Sequence, residues 1–334
     1  MKLVNAAAVA LAGLLLACSP ATEGGKVAGQ PVHVRFATDW RAEAEQGGFY
    51  EALAAGEYAK RGLAVTIVPG GPGVNVPQLV AAGAVEMGIG SNSFIVMNLA
   101  QAGVPVRAVA AFMQKDPQVL IAHPDAGIAR IADMKGHPIL LADASIGAFW
   151  VWLKAKYGFT DAQVRKYAFN NGPFLADKRI VQQGYLTSEP YTLEKQAHLR
   201  PAVFLLADEG YPGYADVILV SDRTIASDPA SVRAFVEASA AGWRRYLHGD
   251  PSAGDALIMR DNPEMTADVL TQARQKMIAY GIVDSGDAEK LGPGTMSDAR
   301  WGAFFKVASG QGVYSPSLDW RRAYTLAFVQ PQAK

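Results

Sequence analysis

Asp39 and Trp40 close the first stretch of alternating apolar and polar residues, and their chemistry is that of recognition. The Asp39 carboxylate can accept hydrogen bonds from an amine, and the Trp40 indole can stack on a flat ring or a cation. The same pair also reads as a helix-start carboxylate beside a core indole. Further along stand other groups suited to holding a small molecule. Phe49 and Tyr50 point to different faces of one helix, so one is core, and Tyr50 is the expected ligand-facing ring. The turn Pro69-Gly70-Gly71-Pro72-Gly73 lets backbone N–H groups approach a ligand closely, or is a tight turn and nothing more. It has neither the Gly-Lys-Ser/Thr of a phosphate loop nor the spacing of a dinucleotide loop. Ser91, Asn92 and Ser93 form a good helix start, and Ser145 opens another. Free N–H groups at both places could meet an acceptor or an anion. Asn171 can pair with a heteroaromatic edge or simply make a turn. Glu189, followed by Pro190 and Tyr191, is a carboxylate at a helix start with an aromatic ring beside it.

Signals for covalent chemistry are missing. The histidines His33, His123, His137, His198 and His248 are scattered, with no His-Glu-x-x-His pair and no Gly-x-Ser-x-Gly elbow. One cysteine cannot build a zinc cluster. Neither a cofactor nor a metal is expected.

That cysteine, Cys18, closes the run Leu14-Leu15-Leu16-Ala17-Cys18 behind a lysine start and an apolar stretch too short to span a bilayer. The arrangement resembles a bacterial lipobox, in which the thiol is acylated and becomes the new N-terminus. A lipoprotein signal over 1–18 and a flexible spacer over 19–30, rich in small and polar residues, are the expectation. The protein is then extracytoplasmic and held to a membrane by lipid at Cys18. An ordinary signal peptide with a chance cysteine is the alternative. Lys+Arg and Asp+Glu balance at 31 each in 334 residues, so no strong field favours nucleic acid. A monomer of two domain-sized units is expected.

Strand and helix signals alternate from Val32 onward. Strands are expected at 32–37, 63–68, 85–89, 106–112, 119–122, 138–141, 201–206 and 216–220. Helices are expected at 47–61, 76–82, 91–101, 145–157, 178–184 and 188–196, and the chain is mainly helical from 228 onward. This pattern argues for an α/β protein with mostly parallel sheets, in which ligands bind beyond the carboxyl ends of the strands.

The order of motifs carries a resemblance. Thr38-Asp39-Trp40, Gly47-Gly48-Phe49-Tyr50, Lys60-Arg61-Gly62-Leu63, Val65-Thr66-Ile67 and Pro69-Gly70-Gly71 follow one another as in a known family. Leu79 to Gly83, Glu86-Met87-Gly88-Ile89-Gly90, Ile131 to Gly136 and Gln183 to Tyr191 extend the match. The chain resembles the ABC-transporter solute-binding proteins related to thiamine-pyrimidine-precursor (hydroxymethylpyrimidine) synthesis and uptake, cousins of the aliphatic sulfonate and taurine binders. The resemblance implies a type II periplasmic binding protein fold, two α/β lobes with a hinge and a ligand cleft. Lobe one would be 31–112 and 222–330, and lobe two 113–221. It implies a receptor that delivers a small, flat, nitrogen-bearing ring to membrane permease subunits and does no covalent chemistry. Trp40, Tyr50 and Tyr191 would stack, while Asp39, Asn171 and Glu189 would read polar edges; Glu189 could take two N–H bonds from an aminopyrimidine. Gly70, Gly71, Ser91, Asn92 and Ser145 would offer backbone or hydroxyl contacts. An alkyl sulfonate held by the helix starts is the rival ligand, although Asp39 and Glu189 disfavour an anion. A pyrimidine-synthesis enzyme of the same fold is the rival of another class, but its cysteine-rich iron motif is missing here. A sensor domain is the third.

Overall fold

The alternation in Val32–Ala37 places Val34 and Phe36 inward and Arg35 outward, and it makes β1 the seed of a sheet. The computed structural model describes residues 30–329. The expected signal, Cys18 and the spacer up to residue 29 lie outside the described residues. Ten strands follow in order: β1 Val32–Ala37, β2 Leu63–Val68, β3 Met87–Asn92, β4 Val106–Met113, β5 Gln118–Ala122, β6 Ile139–Leu141, β7 Val164–Lys166, β8 Val181–Tyr185, β9 Ala202–Leu205 and β10 Ala215–Ser221. They form two five-stranded sheets of order β2-β1-β3-β10-β4 and β7-β6-β8-β5-β9. Each sheet holds two parallel and two antiparallel pairs, so the sheets are mixed rather than mostly parallel as expected: β10 runs antiparallel to β3 and β4, and β5 antiparallel to β8 and β9. This is the α/β, two-lobed periplasmic-binding-protein architecture.

The chain passes from the first sheet to the second between Met113 and Gln118, and back between Leu205 and Ala215. Residues 215–221, assigned above to lobe two, therefore belong to the first sheet. The apolar run after Asp216 needs burial on both faces, and the slot between β3 and β4 supplies it. Arg300, on the helix Asp298–Gly310, ties both crossings together. Its guanidinium donates to Gln114 Oε1 (2.9 Å) and to the Gly213 carbonyl (3.2 Å), and it lies 4.3 Å over the Tyr214 ring.

Three expected helices differ. Residues 178–184 hold β8, the central strand of the second sheet, flanked by β6 and β5. The stretch 145–157 splits into Asp143–Ile146 and Phe149–Tyr157 around Gly147. The first helix stops at Ala54 rather than at residue 61.

That first helix, Gly47–Ala54, sits against the long helix Pro229–His248. Phe49 is fully buried, with its ring 4.9 Å from Phe36, 5.0 Å from Phe112 and 5.8 Å from Trp243. Gly48 makes this close approach possible, because a Cβ there would stand 2.1 Å from the Trp243 ring. Gly48→Ala is expected to cost about 2 kcal/mol through overpacking. It would appear as a lower urea midpoint at unchanged slope; an unshifted midpoint would show that the two helices part without strain.

Candidate functional site

Three segments of the first lobe and two of the second converge where the lobes meet. After β1 the chain turns at Thr38, whose hydroxyl donates to the Trp40 carbonyl (2.6 Å). The Gly70 N–H donates to that same carbonyl (3.0 Å) and to Thr38 Oγ1 (3.1 Å). A Cβ on Gly70 would stand 2.2 Å from the Thr38 carbonyl. Gly70 therefore shapes the turn and presents Asp39 and Trp40, and its N–H is not free for a ligand as expected above. Gly71, at φ 156, continues the turn in open space.

Asp39 accepts the Ser91 hydroxyl at 2.5 Å, which brings two expected residues together. Asn92 caps the helix Ser93–Gln101, its side-chain oxygen accepting from Phe94 N (3.1 Å) and Ile95 N (3.4 Å). Across the cleft, Glu189 begins the helix Glu189–Ala197. Its Oε2 accepts the Tyr185 N–H (2.8 Å) and its Oε1 accepts the Tyr167 hydroxyl (3.2 Å). Asn171 Oδ1 accepts from Gln182 Nε2 (2.8 Å), which fixes the turn beneath the same wall.

The structure moves three expected residues away from the cleft. Tyr50 is fully buried and donates to Asp261 Oδ2 (3.2 Å), because its helix is covered on one side by Pro229–His248 and on another by Ser252–Asp261. Tyr191 is a rim residue, with its hydroxyl on Asp268 Oδ2 (2.9 Å) beside the Lys195–Asp268 ion pair. Ser145 sits inside a single helical turn, with its N–H on the Ala142 carbonyl (3.0 Å), so no free helix start faces a ligand there.

Sequence reasoning missed the groups that complete the site. The Trp40 ring meets Phe169 of the second lobe at 4.6 Å, and Tyr167 lies 5.1 Å behind Phe169. Glu45 accepts the Thr187 hydroxyl across the lobes, and Gln272 donates to the Thr187 carbonyl. Asp116 occupies the first crossing and Asp216 begins β10 just after the second.

Asp39, Glu43, Glu45, Asp116, Glu189 and Asp216 all hold their protons above the ordinary carboxylate range, and desolvation is the largest cause at each. Asp116 is raised to about 7. Their charges also act on one another: Glu45 and Glu189 on Glu43, Asp39 on Glu45 and Asp116, and Asp39, Glu45 and Asp116 on Asp216. Hydrogen bonds offset part of this at Asp39, Glu43, Glu45 and Glu189, and Arg41 offsets part at Glu43 while its guanidinium pairs with Glu264 at 3.0 Å. Asp39, Trp40, Glu43, Tyr185 and Glu189 keep some accessible surface although protein crowds them, as the lining of a cleft does. Carboxylate oxygens thus lie beside the Trp40–Phe169 ring contact at the junction of the lobes. A recess of about 290 Å³ bounded by Lys135, Pro138, Thr160 and Arg165 is a separate feature of the second lobe that none of these residues lines.

A family profile described as NMT1/THI5 like matches residues 43–253. The chain is similar to the riboflavin-binding protein RibY of Chloroflexus aurantiacus, with 26% identity over 234 residues. That match takes in 69% of this chain and 66% of RibY, just short of two thirds of the relative's length. In fold it is similar to the periplasmic aliphatic sulphonate binding protein SsuA of Escherichia coli (TM-score 0.62, 13% identity, covering 88% of this chain and 92% of that one). It is similar also to the Candida albicans CA3427 gene product, which has the generic periplasmic binding protein fold (TM-score 0.63, 12% identity, 91% and 99%).

Proposed function

The chain belongs to the NMT1/THI5-like family, and from that premise we propose that it is the solute-binding component of an ABC importer. It captures a flat, nitrogen-bearing ring such as a pyrimidine precursor of thiamine by closing two lobes around it. The observation that carries the ligand class is the cleft wall itself. Desolvated carboxylates lie beside the Trp40–Phe169 pair, and Arg41, which acts on Glu43, is paired with Glu264. A sulfonate would be drawn into a field of its own sign, at a cost of several kcal/mol once desolvated. Ring N–H groups meet acceptors there, and the ring faces meet aromatic carbon.

The cycle is binding, closure, docking on the permease and release, with both lobes contributing ligand contacts so that occupancy favours the closed form. The receptor does no covalent chemistry, and acylation at Cys18 keeps it beside its membrane partner outside the cytoplasm. The relation to RibY supports a second ring within the same class, the larger isoalloxazine of a flavin.

Native mass spectrometry of the protein purified from its host tests this reading. A retained nitrogen heterocycle, recovered unchanged after incubation, is the expected result. A retained sulfonate would overturn the ligand class, and a ligand converted on incubation would overturn the receptor.

A further inference from the structure

Asp116 and Asp216 stand at the two places where the chain crosses between lobes, and both are more deeply buried than the cleft walls, at 1% and 2% exposure. Asp116 accepts the Gln118 N–H at 3.0 Å with one oxygen, and its other oxygen has no partner. Asp216 Oδ2 has none either. The backbone of Asp216 is left-handed, at φ 46, inside a strand whose neighbours Ala215 and Val217 pair regularly with β3 and β4. A non-glycine residue held in that region within a strand costs about 1 kcal/mol or more, and aspartate is among the side chains that tolerate it. Ala215 pairs with Met113, so the two crossings lie side by side, and besides its burial Asp216 feels the charges of Asp39, Glu45 and Asp116.

Burial and these carboxylates push two phenols up. The Tyr185 phenol responds to Asp116, Asp39 and Asp216, and the Tyr211 phenol to Asp116; the Tyr211 hydroxyl is also buried without a partner. A buried carboxylate oxygen with no donor is costly, and two at adjacent crossings ask for a donor that carries positive charge.

We infer that the floor of the cleft, Asp116 with Asp216, is a subsite for a cationic nitrogen of the ligand, an ammonium or protonated amine carried on the ring that Trp40 stacks. This rests on the ring-binding reading above and adds a charge to it. The ring lies between the lobes at the level of Trp40 and Phe169, and its amine reaches down to the crossings. Binding there neutralises the charge that separates the lobes, so a cationic ligand closes the protein more effectively than its neutral isostere.

Calorimetric titration of the full chain at pH 7 with two isosteric pairs tests the subsite: an aminomethyl- and a hydroxymethyl-substituted aminopyrimidine, and benzylamine with benzyl alcohol. The aminomethylpyrimidine is expected to bind at least about tenfold more tightly than its hydroxymethyl partner. Asp216→Asn keeps the shape and tolerates the same backbone conformation, and it should shrink that ratio to about twofold. Equal affinities for the two pyrimidines, or a ratio unchanged in both Asp216→Asn and Asp116→Asn, would overturn the subsite while leaving the ring reading in place. Binding of benzylamine with neither pyrimidine bound would do the reverse. No heat from any of the four compounds would overturn both.

Discussion

Asp116→Asn is expected to raise the melting temperature of the ligand-free protein by roughly 5–10 °C at pH 8 and to leave it nearly unchanged at pH 4. The folded carboxyl titrates at about 7 because it is buried, against 3.8 in an exposed chain. Below the lower value both states carry the proton and burial costs nothing. Between the two, the unfolded chain has released its proton while the folded protein keeps it, so stability falls as pH rises. Above pH 7 both are ionised, and the folded state bears the whole cost, on the order of 4 kcal/mol. Asparagine removes the charge and can still accept the Gln118 N–H through its side-chain oxygen. The same substitution should weaken binding of a cationic ring, so stability and affinity move in opposite directions. Melting curves across pH 4–8 check the first half. A fall in melting temperature at every pH would show that the carboxylate is needed to hold the crossing together.

Trp40→Ala is expected to weaken ring binding by about 30-fold, roughly 2 kcal/mol, with a change of only a degree or two in melting temperature. The indole is half-buried, with its ring against Phe169 of the opposite lobe and its N–H on the Glu43 carboxyl. Its backbone is held by Thr38 and Gly70 whatever the side chain, so the turn survives the truncation. Titration of wild type and variant with the same pyrimidine reads the effect. A large drop in melting temperature with affinity intact would make Trp40 a packing residue and take the stacking wall out of the site.

Much of the scaffold is legible in the chain because its strands bury one face and alternate. Residues 32–37 and 63–68 are assigned to the residue from that pattern. The strand Val181–Tyr185 is not, because as a central strand it is buried on both faces yet carries Gln182 and Gln183. Gln183 Oε1 accepts the Ala142 N–H (2.6 Å) and Gln182 Nε2 donates to Asn171, although Gln182 Oε1 is left without a partner, and such contacts have no signature in sequence. Tyr50 is misplaced for a related reason. Helical periodicity separates it from Phe49 by one face, but a helix covered from two sides has two buried faces.

The site is half legible. Asp39, Trp40, Ser91 and Glu189 are named as candidates from their places at strand and helix ends, and the structure gives Asp39 the Ser91 hydroxyl and Trp40 a cross-lobe ring contact. Asp116 and Asp216 are 100 positions apart and meet only because β10 returns to the first sheet. One signal was available: Asp216 is the sole charge in the apolar run Ala215–Ser221, and a charge at the head of a buried strand requires a partner. Glu43 and Glu45 look like surface charges in a loop until the second lobe covers them, as Thr187 does for Glu45.

The central claim is that this cleft takes a nitrogen-bearing ring in preference to an anion. Isothermal titration of the ligand-free protein with an aminopyrimidine and, separately, with an alkanesulfonate tests it most directly. Saturable heat with the pyrimidine and none with the sulfonate is the predicted result. Saturable heat with the sulfonate alone would contradict the account.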